Sequence, residues 1–242
     1  MKAYQEDLAY IHDVGHSGFT LSSAPGLLGI LRRHGVANGL VVDLGCGSGR
    51  LARELGRAGY DVLGIDISAS MIALARKHAP KGRFLTESFL KVKLPPCDAV
   101  ISIGECLNYL FDPTGARQRL PRLFRRVYDA LRPGGVFVFD VAEPGRVLEG
   151  TPPRSCSQGN DWATVVEIEG DRKRNLLTRH ITSFRKQGKH YRRSEERHRL
   201  RLYRESELAQ DLTRLGFRVR ILSGYGRFRF RGRFVGFLAQ RP

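Results

Sequence analysis

Short apolar runs alternate with amphipathic segments over residues 39–141. Five runs have the length and composition of buried strands, and they span residues 39–45, 60–66, 82–88, 97–104 and 134–141. Three intervening segments have the apolar spacing of helices, and they lie near residues 49–58, 68–79 and 114–131. This alternation predicts an α/β fold with a doubly wound, Rossmann-like sheet that is mostly parallel and covered by helices on both faces.

The pattern changes after this region. Residues 145–160 are rich in Gly, Pro and Ser and predict a loop. Residues 162–203 contain the β-rich segments "WATVVEIEG", "NLLTRHITSF" and "RHRLRLY", which predict an inserted antiparallel sheet of about three strands. The last elements that the pattern predicts are a helix over 205–216, ended by Gly216, and strands over 217–224 and 233–240.

Length and cysteine content exclude several classes of protein. A chain of 242 residues fits one large domain and buries enough apolar surface to fold without disulfides. The four cysteines have no CxxC spacing and no His cluster nearby, so we expect neither a disulfide framework nor a bound metal. Cys97 is interpreted as a small buried hydrophobe. Because no signal-peptide core and no apolar run of about 18 residues is present, we expect a reducing, cytoplasmic location without membrane contact.

The net charge of +17 is concentrated late in the chain, with +4 on residues 1–150 and +13 on residues 151–242. A basic half is typical of proteins that bind acidic substrates or nucleic acid. However, 33 of the 41 basic residues are arginine, a bias that genome composition also produces. The segment "YGRFRFRGRF" at 225–234 fits either a nucleic-acid stacking surface or a hairpin with Phe inward and Arg outward.

The stretch "VVDLGCGSGR" at 41–50 combines three alternating glycines with a carboxylate. The glycines follow the first strand, where the lack of a Cβ permits positive φ and close approach of a ligand. A dinucleotide site favours GxGxxG, whereas this spacing is GxGxG and Asp43 stands before it. That carboxylate suits an ammonium group, and Asp66 after the second strand can accept both hydroxyls of a ribose. The predicted ligand has an amino acid at one end and a ribose at the other.

Four ordered blocks resemble the class I S-adenosylmethionine-dependent methyltransferases. They are "VVDLGCGSG" (41–49), "GIDIS" (64–68), "FLTESFLKVKLPPCDAVISIGECLNYL" (84–110) and "LRPGGVFVFDV" (131–141). Near the end, "RLYRESELAQDLTRLGFRV" resembles the late helix and sixth strand of the family. The resemblance implies a mostly parallel sheet of seven strands, S-adenosylmethionine as cofactor and S-adenosylhomocysteine as product.

The resemblance also implies a division of the chain into four parts. Residues 1–24 are expected to form an N-terminal lid segment, and residues 25–145 the cofactor-binding α/β core. Residues 146–204 are expected to form the inserted antiparallel sheet, which would cover the site as a substrate lid. Residues 205–242 would complete the core.

Individual cofactor contacts follow from the same resemblance. The residues expected around the methionine part and the sulfonium are Asp43, Gly45, Cys46, Gly47, Gly49, Gly104 and Glu105. The residues expected around the adenosine are Asp66 at the ribose and Ile67, Met71, Ser88 and Phe89 at the adenine.

Two of these positions have alternative interpretations. Ser88 stands where the family usually has an Asp that accepts the adenine amino group, so the N–H of Phe89 is expected to supply part of that contact. Ser88 also fits a turn cap, and Met71 also fits plain core packing.

Methyl transfer from a sulfonium needs mainly position and a dry site, so a catalytic dyad is not required. No catalytic residue is identified from the sequence, and the candidates are Glu105, His180 and Tyr203. The residues expected near the acceptor are Tyr10, His16, Asn108, Tyr109 and Arg179.

We expect a small-molecule acceptor that reacts through oxygen or nitrogen, and arginines on the lid would suit an anionic one. The alternatives are an RNA methyltransferase that uses the basic C-terminal half and a non-catalytic S-adenosylmethionine-binding protein. Nucleic acid is the less favoured partner, because the place of an Asn/Asp-Pro-Pro-aromatic block reads "GECLNY". The oligomeric state is not predicted.

Overall fold

A computed structural model describes residues 3–112, 119–145 and 154–242 of the chain. Its α-helices are α1 (Glu6–Gly15), α2 (Gly18–Arg33), α3 (Arg50–Arg57), α4 (Ala69–His78), α5 (Arg119–Ala130) and α6 (Glu205–Arg214). Its first strands are β1 (Leu40–Leu44), β2 (Asp61–Asp66), β3 (Arg83–Thr86), β4 (Cys97–Ser102), β5 (Leu131–Ala142), β6 (Arg154–Gln158) and β7 (Trp162–Asp171). The remaining strands are β8 (Leu176–Gln187), β9 (His190–Arg201), β10 (Arg218–Leu222), β11 (Gly224–Tyr225), β12 (Phe228–Arg229) and β13 (Phe234–Gln240).

The central sheet has seven strands in the order β10-β13-β5-β4-β1-β2-β3. Strands β1 to β5 are parallel, and β13 runs antiparallel to its neighbours β5 and β10. The predicted mostly parallel, doubly wound sheet is therefore confirmed. The strand order reverses at β1, which pairs with β2 on one side and β4 on the other, so a crevice opens at their carboxyl ends.

Apolar strand residues are buried on both faces of the sheet, as expected for a parallel sheet covered by helices. One cluster packs α5 and α6 against the sheet through side chains such as Phe124 and Leu212. The other packs α2, α3 and α4 through side chains such as Leu27, Leu55 and Ile72. Cys97, in β4, is fully buried in the first cluster, as its interpretation as a small hydrophobe predicts.

A second sheet of four antiparallel strands has the order β6-β7-β8-β9. The prediction of about three strands was wrong, because β6 lies within the predicted loop at 145–160. Its sequence, "RSCSQ", is polar and mostly exposed, so this short edge strand carries no apolar alternation. Strand β9 also starts at His190, earlier than predicted, since its first half is polar and exposed. Residues 146–153 of the predicted loop lie outside the described residues.

The N-terminal helix α1 is attached to the second sheet by charged groups. The buried carboxylate of Asp7 accepts two hydrogen bonds from Arg192, at 2.5 and 2.6 Å. The carboxylate of Glu196 accepts from the backbone N–H groups of Tyr4 and Gln5, at 2.8 and 2.7 Å, just before the helix begins. Carboxylates at a helix N-terminus are favourable, so β9 stabilises the start of α1.

Helix α2 runs through the boundary expected at residue 24 and packs on the C-terminal hairpin β11–β12. The hairpin places the ring of Phe228 at 5.2 Å from that of Phe19 in α2, while Arg227 and Arg229 are exposed. The interpretation of this segment as a hairpin with Phe inward and Arg outward is confirmed. Within the described residues, no helix combines the length and hydropathy that a membrane crossing requires.

The contact between α2 and the hairpin gives a test of the packing. A Cβ on Gly26 would lie 2.1 Å from the carbonyl oxygen of Tyr225, whereas a Cβ on Gly29 would meet only the flexible Arg33 side chain, at 3.3 Å. We expect Gly26→Ala to lower the free energy of unfolding by about 2 kcal/mol, because backbone must move to avoid overpacking. Gly29→Ala, in the same helix, is the control and should raise it by up to about 1 kcal/mol. Urea unfolding measures both, and equal stabilisation by the two variants would contradict the close contact.

Candidate functional site

A cavity of about 580 Å³ lies at the carboxyl ends of the parallel strands, between the central sheet, α1 and the second sheet. Its wall includes residues after β1, β2 and β4 as well as residues on β7 and β8. The sequence-predicted site residues on this wall are Asp43, Gly45, Cys46, Gly47, Asp66, Ile67, Met71, Ser88, Phe89, Gly104, Glu105, His16, Tyr109 and Arg179.

The glycine loop after β1 has the conformation that its sequence predicts. Gly45, Gly47 and Gly49 have φ of 76°, 52° and 76°, in the left-handed region that favours glycine. A Cβ on Gly47 would meet nothing within 4 Å, so the loop borders open space there. Gly49 does not lie on the cavity wall but immediately precedes α3 as its N-cap residue. A Cβ on Gly49 would lie 2.8 Å from Ala75 of α4. Its bare backbone lets α3 and α4 pack closely.

Asp43 is buried at the end of β1 with only 2% of its surface exposed. Its Oδ2 atom has no hydrogen-bond partner among the described residues. Burial, and secondarily the nearby Asp66, raises the pKa of Asp43 to about 7. A buried carboxylate oxygen without a donor is costly, so this position is suited to a ligand with a positive group.

The carboxylate of Asp66 is held at the end of β2 by the backbone. Its Oδ2 accepts from the N–H of Gly47 at 3.0 Å, and its Oδ1 accepts from the N–H of Ser68 at 2.8 Å. Burial raises its pKa, although these N–H donors act in the opposite direction. The adjacent Ile67 is 40% exposed on the cavity wall, which suits an apolar ring lying against it. Met71 is 2% exposed and also lines the cavity.

Ser88 and Phe89 lie beyond β3 on the same wall. The hydroxyl oxygen of Ser88 accepts from the N–H of Leu90 at 3.2 Å, so the side chain caps a turn. The capping interpretation of Ser88 is therefore confirmed, and its place on the wall keeps it within reach of a ligand.

The turn after β4 is held by a residue that the sequence pattern did not single out. Asp140, at the end of β5, accepts from the N–H of Glu105 at 2.6 Å and from that of Gly104 at 3.0 Å. The hydroxyl of Tyr225 donates to the same carboxylate at 3.0 Å. Burial raises the pKa of Asp140 to about 7. The signal for it was a lone acid at the end of a buried run, "VFVFDV".

Glu105 and Arg179 form an ion pair across the cavity. The Arg179 Nη1 atom lies 2.5 Å from Glu105 Oε1 and 3.1 Å from the hydroxyl of Tyr109. Burial disfavours the guanidinium charge, but Glu105 and Tyr109 outweigh it and raise the pKa of Arg179. Burial also raises the pKa of Tyr109 to about 12. The guanidinium of Arg179 therefore stays charged, while the phenol of Tyr109 stays neutral.

Tyr4 and Phe111 lie on the cavity wall but were not among the predicted site residues. The hydroxyl oxygens of Tyr4 and Tyr109 are hydrogen-bonded at 3.1 Å. The ring of Phe111 stacks on that of Tyr109, with 4.8 Å between the ring centroids. His12, on α1, also lines the cavity, and burial lowers its pKa to about 4. His16 lies on the wall beside them, with its pKa lowered by burial. Because Tyr4 and Tyr109 are about a hundred residues apart in the chain, their contact leaves no local sequence signal.

Besides Gly49, four predicted residues lie outside the cavity wall. His180 neighbours Arg179 on β8, so it faces the other side of the sheet, 3.5 Å from Glu169. Tyr203 packs against the core beneath the central sheet. These placements remove two of the three catalytic candidates.

The other two are structural. Tyr10 donates its hydroxyl to Asp161 at 2.8 Å, since its position on α1 faces the second sheet. The side-chain amide of Asn108 is buried and donates to the carbonyls of Ala142 and Arg201, at 2.9 and 2.6 Å. Asn108 therefore joins the ends of β5 and β9 rather than an acceptor.

The residues present fit the cofactor that the sequence resemblance implies. Asp43 offers an unpaired buried oxygen for an ammonium group. The absence of a Cβ on Gly47 leaves room for a ligand beside the loop. Asp66 is held for hydroxyl donors, and Ile67 offers an exposed apolar surface beside it. These features follow the cavity wall in the order amino acid, ribose and base.

Comparisons with known proteins agree with this geometry. A family model described as a methyltransferase domain matches residues 41–135. YqeM of Bacillus subtilis, named as a methyltransferase, is 25% identical over 187 residues, which are 75% of this chain and 74% of that protein. The malonyl-[acyl-carrier protein] O-methyltransferase of Pectobacterium atrosepticum is 33% identical over 129 residues, which are 53% of this chain and 47% of that protein.

Solved structures share the whole fold. An S-adenosylmethionine-dependent methyltransferase from Clostridium acetobutylicum has a TM-score of 0.81 at 19% identity, over 96% of this chain and 97% of that one. The sugar N-methyltransferase KedS8 from Streptoalloteichus has a TM-score of 0.80 at 19% identity, over 100% of this chain and 95% of that one. The solved structures show that the fold is that of S-adenosylmethionine-dependent methyltransferases, and the match of residues 41–135 to a methyltransferase-domain model identifies the chain as an S-adenosylmethionine-dependent methyltransferase.

Proposed function

We propose that this methyltransferase acts on an oxygen or nitrogen of a small-molecule acceptor, which binds in the cavity beneath the second sheet. The observation that carries the proposal is the continuity of the cavity, which extends from the glycine loop to the second sheet. One end offers groups for the cofactor, and the other end leaves room for an acceptor. A binding protein without turnover would need no such second compartment.

The acceptor end combines an apolar surface with a few polar groups. Val166 and Ile168 of β7 and Ile181 of β8 supply apolar side chains. Glu105 and Tyr109 supply polar atoms on the central-sheet side. Small-molecule sites are typically apolar with few convergent polar groups, so this wall suits a compact organic acceptor.

Catalysis here is proposed to depend on position. The cofactor supplies a methyl group on a positively charged sulfur. Asp43 and Asp66 would bind its ends, and α1 with the second sheet would exclude water, in the role of a lid. Tyr4 connects these parts, because its carbonyl accepts from the hydroxyl of Ser68, whose N–H donates to Asp66.

Two relatives support a small acceptor without naming its class. The Pectobacterium relative is named for malonyl-[acyl-carrier protein] and methylates oxygen, while KedS8 is named for a sugar nitrogen. Their acceptors differ, so the attacked atom in this chain must be inferred from its own residues.

Four arginines of the second sheet form ion pairs with carboxylates of the same chain. Arg185 and Arg192 pair with Asp7, Arg154 pairs with Glu167, and Arg193 pairs with Glu195. These charges are used within the chain, which weakens the basis for an RNA methyltransferase. Exposed basic residues remain elsewhere, for example Arg197 on β9 and Arg227 and Arg229 on the C-terminal hairpin.

Asp66 is the first residue to test. We expect Asp66→Asn to raise the dissociation constant of S-adenosylhomocysteine at least about tenfold, because the carboxylate is a charged acceptor for two hydroxyls. Asp61→Asn, at the exposed start of the same strand, is the matched control and should leave it unchanged. Calorimetric titration measures both constants. Equal affinities in the two variants would refute the assignment of the ribose to β2.

Asp43 predicts a pH dependence of cofactor binding. An acid whose pKa is raised to about 7 is largely protonated below that pH, and only the ionised form attracts an ammonium group. Affinity for S-adenosylhomocysteine should therefore rise with pH up to about 7 and then level off, with proton release on binding. Asp43→Asn should remove that proton release. Calorimetry in buffers of different ionisation enthalpy measures it, and unchanged release in the variant would assign the titration elsewhere.

The choice between a small acceptor and RNA is tested by label transfer. The protein is incubated with methyl-labelled S-adenosylmethionine and either a bacterial small-metabolite extract or bulk RNA. We expect label in the small-molecule fraction and none in RNA, and we expect RNA to leave affinity for S-adenosylhomocysteine unchanged at low and physiological salt. Label confined to RNA would overturn the proposal, and absence of S-adenosylhomocysteine binding would refute the cofactor site.

A further inference from the structure

We propose that the methyl acceptor is an amine and that Glu105 holds its nitrogen; this inference rests on the methyl transfer proposed above. The relevant part of the cavity is the region where the turn after β4 faces β8. Its polar groups, its rings and its charge balance all favour a ligand with a positive or developing positive charge.

The backbone holds Glu105 in an unfavourable conformation that places its side chain on the cavity wall. Its φ is 56°, in the left-handed region that a residue with a Cβ rarely adopts. Asp140 maintains it by accepting both N–H groups of the turn. The next residue, Cys106, donates its thiol to the carbonyl of Gly45, with 3.5 Å between sulfur and oxygen. Glu105 therefore stands beside the glycine loop, where the methyl group would be presented.

Within the described residues, one oxygen of this carboxylate has a protein partner and the other has none. Oε1 pairs with Arg179, while Oε2 is buried and has no hydrogen-bond partner among the described residues. A buried acceptor without a donor is costly, and a ligand N–H would satisfy it. Asp43 has the same property at the other end of the cavity. Two such oxygens match two nitrogen groups, one on the cofactor and one on the acceptor.

Aromatic rings surround this part of the wall. Tyr4, Tyr109 and Phe111 all line the cavity. The ring centroid of Tyr4 lies 6.3 Å from that of Tyr109 and 6.3 Å from that of Phe111. The faces of aromatic rings attract ammonium groups, and a carboxylate beside them strengthens the preference. The faces of these rings do not attract an anion in this way.

The cations of the wall are already paired. Arg50 pairs with Asp13 at 2.7 Å, and Arg179 pairs with Glu105. Among the described lining residues, these are the lysines and arginines. An anionic acceptor would therefore have to displace an internal carboxylate, so the expectation that lid arginines bind an anion has no support from this geometry.

An alcohol acceptor is disfavoured for a different reason. A hydroxyl must lose its proton during transfer and benefits from a base. Burial raises the pKa of Tyr4 and Tyr109, so both phenols are neutral and cannot accept that proton as phenolates. Burial lowers the pKa of His12, which makes its imidazole a weak base.

An acceptor that binds as an ammonium ion first loses a proton to water, and the neutral amine that remains needs no base for the transfer itself. Its nitrogen lone pair forms the bond to the methyl carbon, and the carbon–sulfur bond breaks with its electron pair left on sulfur. The positive charge moves from sulfur to nitrogen, where the Glu105 carboxylate stabilises it. The methylated ammonium then leaves and loses its proton to water. Total charge in the cavity stays constant during the transfer.

The test uses a matched pair of probes. Protein loaded with S-adenosylhomocysteine is titrated calorimetrically with cyclohexylammonium chloride and with cyclohexanol. We expect the ammonium to bind at least about tenfold more tightly than the alcohol. Glu105→Gln should reduce the affinity for the ammonium to that for the alcohol. Glu195→Gln, an exposed carboxylate of β9, is the control and should change neither.

A second variant separates binding from a purely structural role. Arg179→Gln leaves both oxygens of Glu105 without an internal cation, so ammonium binding should strengthen by about threefold or more. If the ion pair only maintains the fold, both variants should weaken binding alike.

Equal affinity for ammonium and alcohol, no ammonium binding, or unchanged ammonium binding in Glu105→Gln would each overturn the amine assignment. Those results leave S-adenosylhomocysteine binding intact, whereas loss of that binding in the parent protein would refute the methyltransferase site itself. The two failures are therefore distinguishable in one set of titrations.

Discussion

The carboxylate of Asp140 is the contact on which the cavity depends. It accepts hydrogen bonds from Gly104, Glu105 and Tyr225, and so connects the end of β5 to the turn after β4 and to the C-terminal hairpin. Because the carboxylate is fully buried, it is costly to leave any of these donors unpaired. The hairpin in turn packs its backbone on Gly26 of α2. A single buried acid thus aligns the central sheet, the turn that carries Glu105 and the helix that covers the core.

The turn that carries Glu105 is connected to the second sheet by the ion pair between Glu105 and Arg179 of β8. The same sheet is attached to the N-terminal segment, because Arg192 donates to Asp7 of α1 and Glu196 accepts from the N–H of Tyr4. Ser68, which caps α4, donates to the carbonyl of Tyr4 just before α1, so the N-terminal segment is also fixed to the central sheet side. A small apolar cluster that includes Ala142, Leu177 and Leu200 joins β5 to the second sheet beside these polar contacts.

Much of the core was predictable because its physical signals are local. The buried runs indicated β1 to β5, and the glycines with Asp43 and Asp66 indicated the cofactor end. Contacts set by long-range packing were not predictable: Glu196 meets the backbone of Tyr4 across 192 residues, and no nearby residue indicates it. The polar edge strand β6 was missed for a similar reason, since its pairing with β7 rather than its own pattern makes it a strand.

The acids of this site explain why a basic protein can accommodate positive ligands. Asp43 and Asp140 are buried and Asp66 is half-buried near the carboxyl ends of parallel strands, and burial raises the pKa of each. Asp140 is satisfied by donors of the chain itself, whereas the unpaired oxygen of Asp43 is costly as an isolated anion, so a cationic ligand relieves that cost at the place where it binds. Excess arginine elsewhere does not oppose this, because the lining arginines are paired with carboxylates. Methyl transfer from sulfur to an amine keeps one positive charge in this environment from start to finish, which fits the environment better than a reaction that would leave it without a cation.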